Sequence, residues 1–226
     1  MTEPTLVTAA EFAALNLADW RFVFRRIKAT YRTDSYGAAA KLAADIGAAA
    51  EAAGHHPDLD IRYPNLLFAS LATQRLGGVL TDRDVALARQ ISDLARRAGA
   101  RSEPESIQTV EIAIDALDNE AIRPFWNAIL GFVDDVAPDY AGTPFMIMDP
   151  ARLAPAFWFQ DMTEPRSERN RFHVDIAVPY DVAEQRIAAA LAAGGTLLSD
   201  RDARAWWVLA DSEGNEACIC TWQDRP

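Results

Sequence analysis

Histidine, cysteine and long apolar runs are the scarce features of this 226-residue chain, and each scarcity removes a class of protein. No stretch approaches the ~18 consecutive apolar residues of a membrane-spanning helix. The start, with Glu3 and Glu11 and no basic segment, lacks the form of a secretion signal. A soluble, cytoplasmic protein without a membrane partner is therefore expected. The only two cysteines, Cys218 and Cys220, stand one residue apart on the same side of an expected strand. That is poor disulfide geometry. With no further cysteine or histidine close in sequence, they read as small packing residues in a reducing compartment rather than as a zinc site. Basic runs are missing as well. The net charge is −11, and residues 1–100 hold 12 Lys+Arg against 11 Asp+Glu while the remainder holds 10 against 22. The acidic second part argues against a nucleic-acid partner. The asymmetry supports two modules, which the length also allows.

Against that background, two of only three histidines stand side by side in Glu51-Ala-Ala-Gly-His55-His56-Pro57. Upstream, Ala39, Leu42, Ala43, Ile46, Ala50 and Ala53 recur at steps of three and four, the apolar face of a helix. Gly54 suits the left-handed residue just past a helix end, and Pro57 cannot continue the helix. Histidine titrates nearest neutrality, so an adjacent pair is a natural proton donor and acceptor set. As an isolated tripeptide the same residues also fit a solvated turn.

The rest of the first module reads as α+β. A short helix at Ala9 to Leu15 leads into Trp20. Arg21 to Tyr31 alternates as one half-buried strand. Thr33-Asp-Ser starts the alanine-rich helix. Asp60 to Tyr63 and Leu66 to Thr73 are two further strands. Thr81-Asp-Arg-Asp84 has capping-box spacing and opens a second amphipathic helix through Leu87, Ile91, Leu94, Ala95 and Ala98. An antiparallel sheet with helices on one face follows. The domain is drawn at residues 1–100, with a Gly, Pro, Ser and charge-rich linker at 101–106.

As an ordered set, Trp20, Phe22-Val-Phe24, Glu51, His55-His56-Pro57, Tyr63 six residues later, Thr73, Gly77-Gly78 and Asp84 resemble the pterin-4a-carbinolamine dehydratases. The resemblance implies elimination of water from a 4a-hydroxytetrahydropterin without metal or other cofactor. It makes His55 and His56 the catalytic pair and Glu51, Pro57, Tyr63, Gln74 and Asp84 substrate-binding. Glu51, one turn before the pair, is expected to orient His55. The family usually has a third histidine where this chain has Gln74, and glutamine cannot shuttle protons near neutral pH.

Residues 107–226 read as βαβββ twice. The first set is a strand at Ile107 to Ile114, a helix through Ile122, Phe125, Trp126 and Ile129 before Gly131, and strands at Phe132 to Val136, Phe145 to Met148 and Ala156 to Asp161. The second is a strand at Phe172 to Val178, a helix at Val182 to Ala193, and strands at Thr196 to Leu198, Ala205 to Ala210 and Glu216 to Thr221. Asn170 and Asn215 are expected in turns. Of Trp206 and Trp207, adjacent on a strand, at most one faces a pocket. With FWNAILGF (125–132), NRFHVDIAV (170–178) and DSEGNEAC (211–218), the pattern resembles the glyoxalase and bleomycin-resistance branch of the vicinal oxygen chelate superfamily. The resemblance implies a C-terminal pocket lined by Thr109, Glu111, His173, Asp175 and Glu216. Metal-dependent members hold their ion with three protein ligands. Thr109 and Cys218 fall where two of those donors would be, so a metal-free cup is expected.

The leading expectation is a cytoplasmic, homo-oligomeric lyase acting on a small-molecule substrate, a pterin, fused to a glyoxalase-like domain. Two alternatives stay open: a non-catalytic small-molecule-binding protein, and a vicinal-oxygen-chelate enzyme working through the C-terminal cup.

Overall fold

The computed structural model describes residues 3–135, 146–166, 168 and 172–224. The chain divides into two compact units between Thr109 and Val110. Asn170 and the strand ends expected at Val136 and Phe145 lie outside the described residues.

The first unit begins with α1 (Ala9–Ala14), opened by a complete capping box in which Thr8 and Glu11 bond each other's backbone N–H. The expected long strand is a hairpin instead, β1 (Arg21–Val23) and β2 (Arg26–Arg32), with Val23 facing Arg26. Its two-residue turn, Phe24-Arg25, has φ of 53° and 59°. A right-twisting two-residue hairpin needs that left-handed pair. It is usually marked by Asn or Gly, so unbroken alternation concealed the turn here. Then come α2 (Tyr36–Ala53), β3 (Asp58–Arg62), β4 (Leu66–Leu71) and α3 (Asp82–Arg97). The antiparallel sheet runs β1-β2-β4-β3.

Alternation sends Ile27, Ala29 and Tyr31 of β2 and Leu67, Ala69 and Leu71 of β4 to one face, where Leu42, Ile46, Leu87 and Ile91 of the two helices close the core. The expected linker at 101–106 is a correction. Residues 101–102 form β5 (Arg101–Ser102), which pairs with β2, and Pro104–Ser106 is a 3-10 turn. Glu103 between them is bound by Arg32 at 2.7 Å. Charge and turn residues looked like a spacer, but the ion pair and backbone pairing tie them to the sheet.

The second unit repeats one motif. β6 (Glu111–Ala116), α4 (Asn119–Leu130), β7 (Val133–Asp134), β8 (Met146–Met148) and β9 (Ala156–Asp161) give a sheet ordered β6-β9-β8-β7. β10 (Val174–Ala177), α5 (Ala183–Ala192), β11 (Thr196–Ser199), β12 (Trp206–Ala210) and β13 (Glu216–Cys220) give β10-β13-β12-β11. In each, the first and last strands are parallel and the others antiparallel. Ile114, Ile122, Phe125, Trp126, Phe157, Leu209 and Ile219 build its core, with Trp207 packed against it. Trp206, next to it on the strand, therefore points to the other face.

Candidate functional site

The helix end behaves as its residues dictate. Gly54 adopts φ 59° and the His55 N–H donates to the Ala50 carbonyl, which turns the chain sharply out of α2. The turn separates the two imidazoles. His55 goes inward, 11% exposed, and its Nε2 lies 2.7 Å from Oδ1 of Asp84, which is fully buried. Asp84 Oδ2 lies 2.7 Å from the Thr81 N–H, 2.8 Å from the Thr73 hydroxyl and 3.0 Å from the Thr81 hydroxyl. The two hydroxyls are themselves 2.7 Å apart. A carboxylate surrounded by donors accepts from His55 in turn. The ring therefore donates through Nε2–H, and in the neutral imidazole the lone pair is then on Nδ1.

His56 goes outward, 59% exposed, with Nε2 3.2 Å from Glu51 Oε1. Glu51 therefore accompanies His56 rather than His55, which corrects the sequence expectation. Asp84 is also corrected. With no exposed surface it holds His55 and caps α3, and it has no face to offer a substrate. Thr73 and Thr81, the partners sequence reasoning did not name as functional, were present in it only as a strand end and as half of a capping box.

Pro57 follows the pair directly. Gln74 is exposed and opens the 3-10 turn Gln74–Leu76, next to Thr73 and so beside the network. Tyr63 is 90% exposed at the far end of β3, ~20 Å of extended chain from Pro57. The fold thus gathers His55, Asp84, Thr73 and Thr81, sets His56, Glu51 and Gln74 at their border, and leaves Tyr63 apart.

In the second unit a cavity of about 370 Å³ has an apolar wall of Ile112, Ile114, Trp126 and Val174, with Glu216 and Arg166 among its polar groups. Glu216 is one of the residues lining this cavity. Thr109 belongs to the first unit, where its hydroxyl accepts from Lys28 Nζ at 2.6 Å. Glu111 is exposed at the start of β6. His173 and Asp175 share the exposed face of the β10 segment. The parallel register sets Asp175 against Cys218, whose chain neighbours Ala217 and Ile219 face the core. His173 Nδ1 reaches within 3.7 Å of Cys218 Sγ, although 45 residues separate them in the chain. The Cys218 thiol is pushed up to about 12 by burial and then by the nearby charges of Asp175 and Glu216.

The sequence string 211–218 is largely structural. Buried Asp211 accepts from Trp126 Nε1 at 3.0 Å and from the backbone of Glu213 and Asn215. This closes the five-residue loop between β12 and β13, with Asn215 in its expected turn. Among the described residues no helix is long and apolar enough to cross a membrane.

Comparison with known proteins agrees with this division. Residues 5–94 match the family profile "Pterin 4 alpha carbinolamine dehydratase" and residues 111–220 match "Glyoxalase-like domain". A Nocardia farcinica protein, provisionally named a pterin-4-alpha-carbinolamine dehydratase, is 46% identical over 84 residues, 37% of this chain and 86% of its own. A Streptomyces coelicolor protein with the same provisional name is 34% identical over 98 residues, 43% of this chain and 96% of its own. A glyoxalase/bleomycin resistance protein/dioxygenase family enzyme from Burkholderia phytofirmans aligns at 18% identity and a TM-score of 0.36, covering 49% of this chain and 95% of its own. By its first unit the chain belongs to the pterin 4 alpha carbinolamine dehydratase family, and its second unit is similar to the glyoxalase-like domain family.

Proposed function

We propose that the first unit is a lyase that eliminates water from a 4a-hydroxytetrahydropterin, with His55 and His56 as its acid–base pair and no metal or other cofactor. The observation that carries this reading is the 2.7 Å contact of His55 Nε2 with buried Asp84 beside an exposed His56. Two neighbouring imidazoles held in unlike surroundings suit opposite roles.

Elimination requires a proton to leave the ring N5 and another to reach the C4a hydroxyl as the C–O bond breaks. The products are the C4a=N5 quinonoid dihydropterin and water. His55 takes the N5 proton on Nδ1, and the resulting imidazolium is stabilised through Nε2 by Asp84. His56 donates to the departing hydroxyl, with Glu51 holding its ring. Exchange with solvent resets both. Gln74, at the border of the network, contributes a hydrogen bond to the substrate in place of a proton-transferring group. The reading includes a cytoplasmic homo-oligomer, to which the exposed Tyr63 ring offers a contact. The cavity of the second unit would hold a separate small molecule.

Stopped-flow dehydration of 4a-hydroxytetrahydropterin by the wild-type protein, His56→Ala and Gln74→His tests it. Wild type should exceed the uncatalysed rate, and His56→Ala should lose ~10²–10⁴-fold. Equal background rates for all three would remove the proposal.

A further inference from the structure

We propose that Thr73 is a positioning residue of the first unit, one whose hydroxyl, by donating to buried Asp84, keeps His55 neutral at rest and so able to accept a proton. This role rests on the dehydratase reading, in which Nδ1 of His55 takes the proton from the substrate.

Counting protons assigns the donors. Thr73 Oγ1, Thr81 Oγ1 and Asp84 Oδ2 form a closed triangle with sides of 2.7, 2.8 and 3.0 Å. Each hydroxyl carries one proton and an ionised carboxylate none, so two protons serve three sides. Only Thr73 can fill the 2.8 Å side to Asp84, which leaves Thr81 to fill the 2.7 Å side to Thr73. The side left empty is then the longest, at 3.0 Å. The hydroxyls thus form a chain that runs from Thr81 through Thr73 and ends on the charge, where each bond polarises the next. Thr73 is the member that touches the carboxylate.

Among the described residues nothing else engages this hydroxyl. Thr73 is buried between the end of β4 and the 3-10 turn Gln74–Leu76, at the N-cap of that turn, yet its side chain makes no bond to it. Both of its contacts are in the triangle. Asp84 has no exposed surface, so donors must do for its charge what water does elsewhere. Oδ2 has the Thr81 N–H and the Thr73 hydroxyl, and Oδ1 has His55. Take the hydroxyl away, and the carboxylate draws its compensation from the one group in contact with it that can gain charge. His55 is then an imidazolium in the resting protein, with Nδ1 already protonated and no lone pair for the substrate. Glu51, the other carboxylate near the pair, is engaged with His56 and does not set the state of this ring.

The test compares the full-length wild type with Thr73→Val, Thr73→Ser and Thr81→Val. Nitrogen NMR at neutral pH reads the His55 ring without substrate, and stopped-flow dehydration gives kcat and KM. A hydrogen bond to a charged group is worth ~10–150-fold in an equilibrium. Valine keeps the shape of threonine, and the Thr81 hydroxyl can swing onto Oδ2 from 3.0 Å, so part of the loss is regained. Thr73→Val should therefore raise the ratio of imidazolium to neutral ring ~10-fold and lower kcat by up to ~10-fold, with KM unchanged. Thr73→Ser should restore both, and Thr81→Val, which leaves the bond from Thr73 in place, should move both less. An unchanged ratio in Thr73→Val, a larger change in Thr81→Val, or no recovery in Thr73→Ser would overturn the role. Background turnover in the wild type would refute the dehydratase reading alone, because the NMR comparison still decides what Thr73 does to His55.

Discussion

Asp84→Asn is the substitution that most directly questions how the paired histidines are prepared. Asp84 is fully buried, with three donors around Oδ2 and His55 Nε2 2.7 Å from Oδ1. The Thr81 N–H can only donate, so an asparagine must turn its carbonyl toward that side and its NH₂ toward His55. Two N–H groups cannot bond each other. The imidazole therefore has to give up its Nε2 proton and carry it on Nδ1, the nitrogen assigned to receive the substrate proton.

A hydrogen bond to a charged group contributes ~1.5–3 kcal/mol. At 1.4 kcal/mol per tenfold, its loss alone lowers the rate by ~10–150-fold. Removing a general base from its working form is a ~10²–10⁴-fold effect. The two descriptions overlap, so kcat/KM is expected to fall by at least ~100-fold. Stability in urea should fall by ~1–3 kcal/mol, as bonds to a charged carboxylate become weaker bonds to a neutral amide. Stopped-flow dehydration measures the first quantity, and nitrogen NMR of the His55 ring reads the tautomer independently of any activity. The reasoning fails if the wild-type ring carries its proton on Nδ1. It also fails if the variant switches tautomer yet loses less than one decade of rate, about 1.4 kcal/mol.

Two further expectations concern stability. Glu103 is held below the usual carboxyl range by its hydrogen bond with Arg32, against the opposing effect of burial. Its folded pKa is depressed, so the unfolded chain binds the extra proton, and the stabilisation is present above the model-peptide value of 4.5 and lost as pH falls through the folded value. Urea unfolding should therefore show wild type more stable than Glu103→Gln near neutrality, with the gap closing on acidification; a gap that widens in acid would contradict this. Gly195→Ala would place its Cβ 2.4 Å from Phe125 Cδ2 and 2.9 Å from the Ala190 carbonyl, and should cost ~1–3 kcal/mol. Gly47→Ala in α2, with no such neighbour within 4 Å, should stabilise by ~0.5–1 kcal/mol. Thermal unfolding that ranks the two the other way would refute the packing argument.

Local chemistry by itself determined much of this protein. The three-and-four spacing of Leu42, Ile46, Leu87 and Ile91 placed the two helices that cover the first sheet. The Thr81–Asp84 capping box and left-handed Gly54 emerged as read. The doubled βαβββ order was legible because strand and helix periods switch within a few residues. Features that depended on which backbone lies beside which were not legible. The Phe24-Arg25 hairpin escaped because its residues carry no turn signature, and Arg101–Ser102 escaped because an edge pairing leaves no mark on composition.

The same limit governed the sites. Sequence could put two histidines side by side, but only the path of the chain sent one to Asp84, 29 residues on, and the other to Glu51. It could note that no histidine neighbours Cys218, while the parallel pairing of β10 with β13 brings His173 to it. Periodicity is a property of adjacent residues. Register between distant strands is set by the packing of the whole core, and which side chains meet depends on that register.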